Sequence, residues 1–292
     1  MSHHVFAEAN APYDAAQFVL FGVPFDGTSS FRSGSRWAPD AMRKASYNFE
    51  TYVPDFDVDL EQVPTHDMGD VDTYVSVDRT LEEVSLLTKG IVNAGKVPIM
   101  MGGEHSLTYA AVKAFRNVGD VRGDIGVVVL DAHLDLRRDY RGEKYNHACV
   151  SRHIVDELTG RYVSIGARSG PKEEWDFVRD HPGLKFYTAD DVCGRGIAAI
   201  LGEVDAYLAG CDRVYLSLDM DAVDPAYAPG LGTPEPFGLT PRDVRAVVRR
   251  LAPKAVGFDV VEIAPEYDSG EITSMLGAKL IRDFIAAKWK SM

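Results

Sequence analysis

Short, almost wholly apolar runs alternate with longer amphipathic segments along all 292 residues, and this alternation restricts the fold more than any other feature. Runs such as GVVVL and AVGFDVV suit strands covered on both faces, as in parallel sheets flanked by helices. Strands are expected at Phe18–Val23, Val97–Met101, Ile125–Leu130, Tyr162–Ile165, Leu184–Tyr187, Val214–Leu218 and Ala255–Val261. Helices are expected at Thr80–Ala94, Leu107–Phe115, Cys149–Leu158, Ile197–Ala209, Thr240–Leu251 and Ser274–Lys290. Gly95 suits the C′ position of the first helix, and Thr240-Pro241 reads as N-cap and N1 of the fifth. No internal repeat, low-complexity stretch or linker breaks the order. The reading is one α/β domain over residues 1–292, an open parallel sheet with helices on both faces.

Composition removes several classes of function. Hydrophobic residues are 46% of the chain and charged residues 26%, a globular rather than a disordered balance. Lys and Arg number 31 against 44 Asp and Glu, a formal charge of -13. That excess opposes nucleic-acid binding, which needs clustered cations, and docking on an anionic membrane. It fits simple solubility, or acidic residues gathered for a cationic substrate or a metal. Cys149, Cys193 and Cys211 are odd in number, far apart and form no CxxC pair. Neither a disulfide framework nor a zinc ribbon is expected, and a reducing cytoplasm suits the chain. The stretch MSHHVFAEANAPYD has no basic segment leading into an apolar one, so no signal peptide is expected. No apolar run reaches the length of about 18 residues that a membrane span needs.

Two motif-like patterns fail on context. Gly194, Gly196 and Ala199 match a dinucleotide fingerprint, but Asp190, Asp191 and Val192 separate them from the nearest strand. A loop entering a helix is the better reading. Gly90 to Lys96 mimics a phosphate-binding loop, yet Val97 replaces the needed hydroxyl residue and the order is helix then strand.

In open α/β sheets the functional residues sit beyond the carboxyl ends of strands. Three such ends carry metal-type side chains. IMMGGEHS places His105 just past a strand; VVVLDAHLD places Asp131, His133 and Asp135 at alternating positions; VYLSLDMDAVDP does the same with Asp219 and Asp221. Alternating residues in extended backbone point the same way. A lone aspartate after a strand is usually a cap or turn former, but four at buried strand ends would repel unless a cation lies between them. The number of ligands suggests two divalent ions. An oxygen-rich set without thiolate favours Mn²⁺, or else Mg²⁺ or Co²⁺, over structural zinc. Two such ions can share a water and activate it, which points to hydrolysis of a carbon electrophile.

GGEHS, DAHLD and SLDMDAVDPAYAPG together resemble the signature segments of the ureohydrolases, the arginase/agmatinase family. GVPFDGTSSFRSGSRWAPDAMR, GTPEPFGL and DVVEIAPEYD are similar to further family segments, so the resemblance covers nearly the whole chain. It implies a three-layer α/β/α sandwich around a mainly parallel eight-stranded sheet, assembled as homotrimers or homohexamers. By position, it implies one Mn²⁺ on His105, Asp131, Asp135 and Asp219 and another on His133, Asp131, Asp219 and Asp221, with Asp131 and Asp219 bridging. It further implies that His147 relays protons at the rim, that Glu262 binds the substrate guanidinium, and that Asp135 assists the attack. The competing readings are an ordinary loop histidine and a structural partner for an arginine.

The loop LRRDYRGEKYNHACV resembles the agmatinase branch more than the arginases, so agmatine is the expected substrate. Ala148-Cys149 and Phe237 depart from common agmatinase residues near the expected tail pocket. A different tail, as in aminopropylagmatine or guanidinobutyrate, is therefore an alternative, and Arg137, Arg138 and Arg141 could favour an acidic one. Two further alternatives are a single-zinc deacetylase-like amidohydrolase and a non-catalytic oligomeric binding subunit.

Overall fold

Every residue of Val97–Met101 and Ile125–Leu130 is buried, as strands lying between two helical layers must be. The computed structural model describes residues 4–116 and 125–292. In chain order it holds β1 (Phe18–Gly22), α1 (Ala38–Ser46), β2 (Tyr52–Val53), β3 (Val58–Asp59), β4 (Thr65–Asp70), α2 (Val77–Asn93), β5 (Val97–Met101), α3 (Ser106–Lys113) and β6 (Ile125–Leu130). There follow α4 (Val150–Glu157), β7 (Tyr162–Ala167), α5 (Lys172–Asp180), β8 (Lys185–Thr188), α6 (Ala189–Arg195), α7 (Ile197–Tyr207), β9 (Arg213–Asp219), α8 (Pro241–Leu251), β10 (Ala255–Val261) and α9 (Ile272–Trp289).

Eight strands form one sheet in the order β4-β1-β5-β10-β9-β6-β7-β8, and every pairing within it is parallel. Neighbouring residues of one strand join opposite cores. Phe18, Leu20, Val128 and Leu130 pack with α1, α7, α8 and α9, while Val19, Phe21, Val127 and Val129 pack with α2, α3 and α4. That period of two places one helical layer on each face, the expected α/β/α sandwich.

The expected strands and helices are all present, most within one to three residues of their expected limits. Thr240 caps α8 through a reciprocal capping box with Asp243, and Pro241 is its first residue. Gly95 takes a left-handed φ of +75° just beyond α2. Gly196, at φ +80°, separates α6 from α7, in keeping with a loop entering a helix. The strand β4 was not expected. Its sequence THDMGD has no apolar run, because an edge strand is covered less completely than a central one. Helices α1, α5 and α6 and the β2–β3 hairpin add to the expected set.

Candidate metal centre and active-site cleft

The four central strands β5, β10, β9 and β6 are sheet neighbours, and each carboxyl end leads directly into candidate site residues. Beyond β5 the chain must pass under the segment around Phe25: a Cβ on Gly103 would lie 1.8 Å from the Phe25 carbonyl oxygen, so only glycine fits. The Glu104 N–H then donates to that oxygen, and His105 follows, 1% exposed. Asp131, His133 and Asp135 leave β6, though the extended path ends at Asp135, which takes a left-handed φ of +50°. Asp219 is the last residue of β9, and Glu262 leaves β10 at φ +64°. Two of the strained non-glycine positions are thus site residues, where surrounding structure holds a costly backbone.

These side chains converge. His105 Nδ1 lies 3.2 Å from Asp131 Oδ2, 3.3 Å from Asp135 Oδ2 and 3.1 Å from Asp219 Oδ2. His133 Nδ1 lies 2.9 Å from Asp221 Oδ2 and 3.6 Å from Asp131 Oδ1. His105, Asp131 and Asp219 form one group able to hold an ion, and Asp131, His133 and Asp221 form a second. Asp131 belongs to both, with one oxygen toward each histidine. Asp219 joins only the first, its other oxygen accepting from the Asp221 N–H. His105 Nδ1 and Asp131 Oδ2 are buried and make no hydrogen bond despite their proximity; they aim at a shared centre rather than at each other. Carboxylates and imidazoles with buried, unsatisfied lone pairs fit hard divalent cations.

The electrostatics agree. Burial, then repulsion from Asp221 and Asp131, pushes the Asp219 carboxyl well above its usual range. Burial and the Asp131 charge lift Asp135 to about 6. Burial disfavours charge on His105, yet the facing Asp131, Asp135 and Asp219 carboxylates outweigh it and raise the imidazole well above its usual value. Burial likewise opposes charge on Asp221, but the facing His133 holds that carboxyl low. So many carboxylates cannot all ionise in a dry site without added positive charge.

His105 is fixed from behind. Its Nε2 lies 3.3 Å from Ser217 Oγ, and that hydroxyl donates to Asp259 Oδ1 at 2.6 Å. Tyr215 and Thr108 also donate to Asp259. With its hydrogen committed, Ser217 accepts from Nε2–H and leaves the Nδ1 lone pair facing the carboxylates.

Above this floor a cleft is lined by His133, Asp135, His147, Thr233, Glu262 and Glu174, among others. Glu262 accepts from the His105 N–H at 2.7 Å, so its partner is a backbone amide rather than an arginine. Burial and nearby Glu104 hold its carboxyl well above the usual range. His147, in a short turn capped by Asn146, reaches Thr28 Oγ1 with Nδ1 at 3.1 Å and Ser30 Oγ with Nε2 at 3.2 Å. Burial, with the His105 ring nearby, lowers it to about 4.

Arg137 and Glu174 meet at 3.4 Å on the cleft wall, and a further hollow lined by Arg138, Asp139, Arg152 and Glu173 adjoins them. Arg141 lies over the Tyr140 ring instead. Two departures expected near the tail pocket do not line the cleft. Ala148 lines the cleft, but Cys149 is wholly buried and Phe237 is 85% exposed.

Glu104, Asp259, Thr28, Ser30, Thr233 and Glu174 were not foreseen. Glu104 and Asp259 did leave a signal: Asp259 is a carboxylate in an otherwise apolar strand, and Glu104 one in the glycine-rich turn that leaves β5. The two threonines, Ser30 and Glu174 sit in ordinary polar loop or helix sequence and leave none.

The Arginase family profile matches residues 16–287. The N(1)-aminopropylagmatine ureohydrolase of Thermococcus kodakarensis is 39% identical over 284 residues, 95% of this chain and 92% of that protein. An agmatinase of Bacillus anthracis is 33% identical over 97% of this chain and 96% of its own length. Among solved structures, the agmatine ureohydrolase of Thermoplasma volcanium superposes with a TM-score of 0.91 at 45% identity, covering 99% of this chain and 96% of that one.

Proposed function

The chain belongs to the arginase family, and from that premise we propose that it hydrolyses agmatine to putrescine and urea. The observation that carries this is the pair of ligand groups sharing Asp131, set in the floor of a cleft that Glu262 also lines. Two Mn²⁺ would be held by His105, Asp131, Asp135 and Asp219 and by Asp131, His133 and Asp221, with Asp219 joining the second set as the family resemblance implies and with Co²⁺ or Mg²⁺ the substitutes to compare. The gathering of all six groups favours two ions over a single-zinc deacetylase-like site.

Bound there, two such ions supply Lewis acidity and bring the pKa of water toward neutrality. Glu262, steadied by the His105 N–H, accepts the planar N–H donors of the guanidinium and turns its central carbon to the floor. Asp135 takes the hydrogen of the attacking hydroxyl group and passes it to the departing nitrogen. His147 hands that nitrogen a second proton from Nε2 and regains the one released when the attacking water ionises, so that guanidinium and water become urea and a protonated amine.

A cationic tail suits the wall better than an acidic one. Arg137 is already partnered by Glu174, so the wall offers no spare cation at that point. The adjoining hollow favours a second reading, aminopropylagmatine, whose tail is longer than agmatine's. A urea-release screen with Mn²⁺ against agmatine, aminopropylagmatine, guanidinobutyrate, guanidinopropionate and arginine separates these. Agmatine is expected to have the highest kcat/KM; arginine as the best substrate would overturn the assignment.

The proposal extends to a homotrimer or homohexamer in the cytoplasm, acting on a small molecule without nucleic acid or membrane. Light scattering tests the assembly. Among the described residues no helix is long and apolar enough to cross a membrane.

A further inference from the structure

Glu104 lies between the metal floor and the loop after β1, and its side chain is wholly buried. Its Oε2 accepts from the Thr28 N–H at 2.6 Å, and its Oε1 accepts from Thr28 Oγ1 at 2.5 Å and Ser106 Oγ at 2.6 Å. Thr28 is therefore gripped through both its backbone and its hydroxyl. The same Thr28 Oγ1 meets His147 twice, accepting from the backbone N–H at 3.0 Å and lying 3.1 Å from ring Nδ1.

A threonine hydroxyl has one hydrogen and two lone pairs. Two acceptors compete for that hydrogen, the Glu104 carboxyl oxygen at 2.5 Å and His147 Nδ1 at 3.1 Å. The shorter contact is the stronger one, so the hydroxyl donates to Glu104, which already grips the Thr28 N–H. Both lone pairs then serve His147, one for the backbone N–H and one for the ring. The ring nitrogen can meet a lone pair only as a donor.

We propose that Thr28, oriented by Glu104, is a positioning residue that holds His147 as its Nδ1–H tautomer and presents the Nε2 lone pair to the cleft. Ser30 faces that Nε2 at 3.2 Å, and both residues line the cavity. The ring thus has its exchangeable position on the substrate side and its fixed proton on the protein side. With the opposite tautomer, Nε2 would carry a fixed proton and could not receive one from solvent before each turnover. Thr28 touches no reacting atom; it acts through His147. The catalytic consequence rests on the function proposed above, whereas the tautomer itself does not.

The test reads the tautomer directly. Protein carrying ¹⁵N-labelled histidine, loaded with diamagnetic Zn²⁺, is studied by long-range ¹H–¹⁵N correlation, with the His147 signals identified by their loss in His147→Gln. Expected are a pyrrole-type Nδ1 and a pyridine-type Nε2 in the wild type and in Thr28→Ser, and a mixed or reversed pattern in Thr28→Val. In Mn²⁺-loaded enzyme, Thr28→Val should lower kcat roughly 10²-fold, with KM within about twofold, and Thr28→Ser should restore it. A wild-type ring protonated at Nε2 overturns the proposal, as does an unchanged Nδ1–H ring in Thr28→Val. The wild-type spectrum is decisive even if the valine variant does not fold. Should the Nδ1–H ring be found while no guanidine releases urea, the positioning stands and the function falls.

Discussion

Two histidines of this cleft are held by the same device in opposite senses. Behind His105, Asp259 takes the Ser217 hydrogen and the serine faces Nε2; behind His147, Glu104 takes the Thr28 hydrogen and the threonine faces Nδ1. In each case a buried carboxylate with three hydrogen-bond donors turns a two-way hydroxyl into a pure acceptor. The nitrogen left open differs. His105, sealed at 1% exposure, opens Nδ1 toward the carboxylate floor, where a lone pair suits a metal. His147, only half-buried on the wall, opens Nε2 toward the cleft, where a lone pair suits proton traffic. A tautomer is therefore set by where the strand or loop places the hydroxyl, not by the histidine's own sequence context.

The largest test of the floor is Asp219→Ala. Removing a carboxylate that faces His105 at 3.1 Å should reduce bound metal below two ions per chain and lower turnover by about 10³-fold or more, read by elemental analysis and urea release. Wild-type turnover in that variant would show that the floor is not the metal site. Smaller, and aimed at the comparison itself, is Ser217→Ala. It should weaken Mn²⁺ affinity about 10–100-fold while leaving kcat near wild type at saturating metal. Thr28→Val should do the reverse, lowering kcat without changing metal affinity. If both variants move the same quantity, the two clamps do not have separate tasks.

Much of the floor was legible in the sequence because ligand spacing survives there as a pattern. His105, Asp131, His133, Asp135, Asp219 and Asp221 each stand within a few residues of a strand's end, and strand ends were legible as apolar runs. The clamps were not, because a hydroxyl clamp is made by packing three segments that are remote in sequence: Thr28 is 76 residues from Glu104 and 119 from His147. Edge strand β4 was hidden for another reason. Its polar sequence is tolerated because Asp67 and Asp70 pair with the buried guanidinium of Arg43 on α1, an ion-pair arrangement that apolar periodicity cannot register.

Asp283 on α9 gives a third buried carboxylate, far from the cleft chemistry, and it sharpens what the clamps are. Asp259 has only hydroxyl partners, and burial outweighs them, raising its carboxyl above the usual range. Burial acts on Asp283 in the same direction, but hydrogen bonds from Arg245 and Arg249 and the nearby Lys279 overcome it and hold the carboxyl below 3.8. Neutral donors orient a buried acid; cationic donors keep it ionised. Because the folded-state value is depressed, the stabilisation from Asp283 is complete above the unfolded value and is lost as pH falls through the folded one. Asp283→Asn should therefore destabilise the protein at neutral pH by about 1–3 kcal/mol, less than a wholly buried pair because Arg245 is 38% exposed. Thermal melts of variant and wild type should converge as pH is lowered below about 4, since the wild-type carboxyl is then being neutralised too. A gap that stays constant down to acid pH would mean that Asp283 contributes by shape and hydrogen bonding alone, and the contrast between oriented and ionised acids would fail at its simplest site.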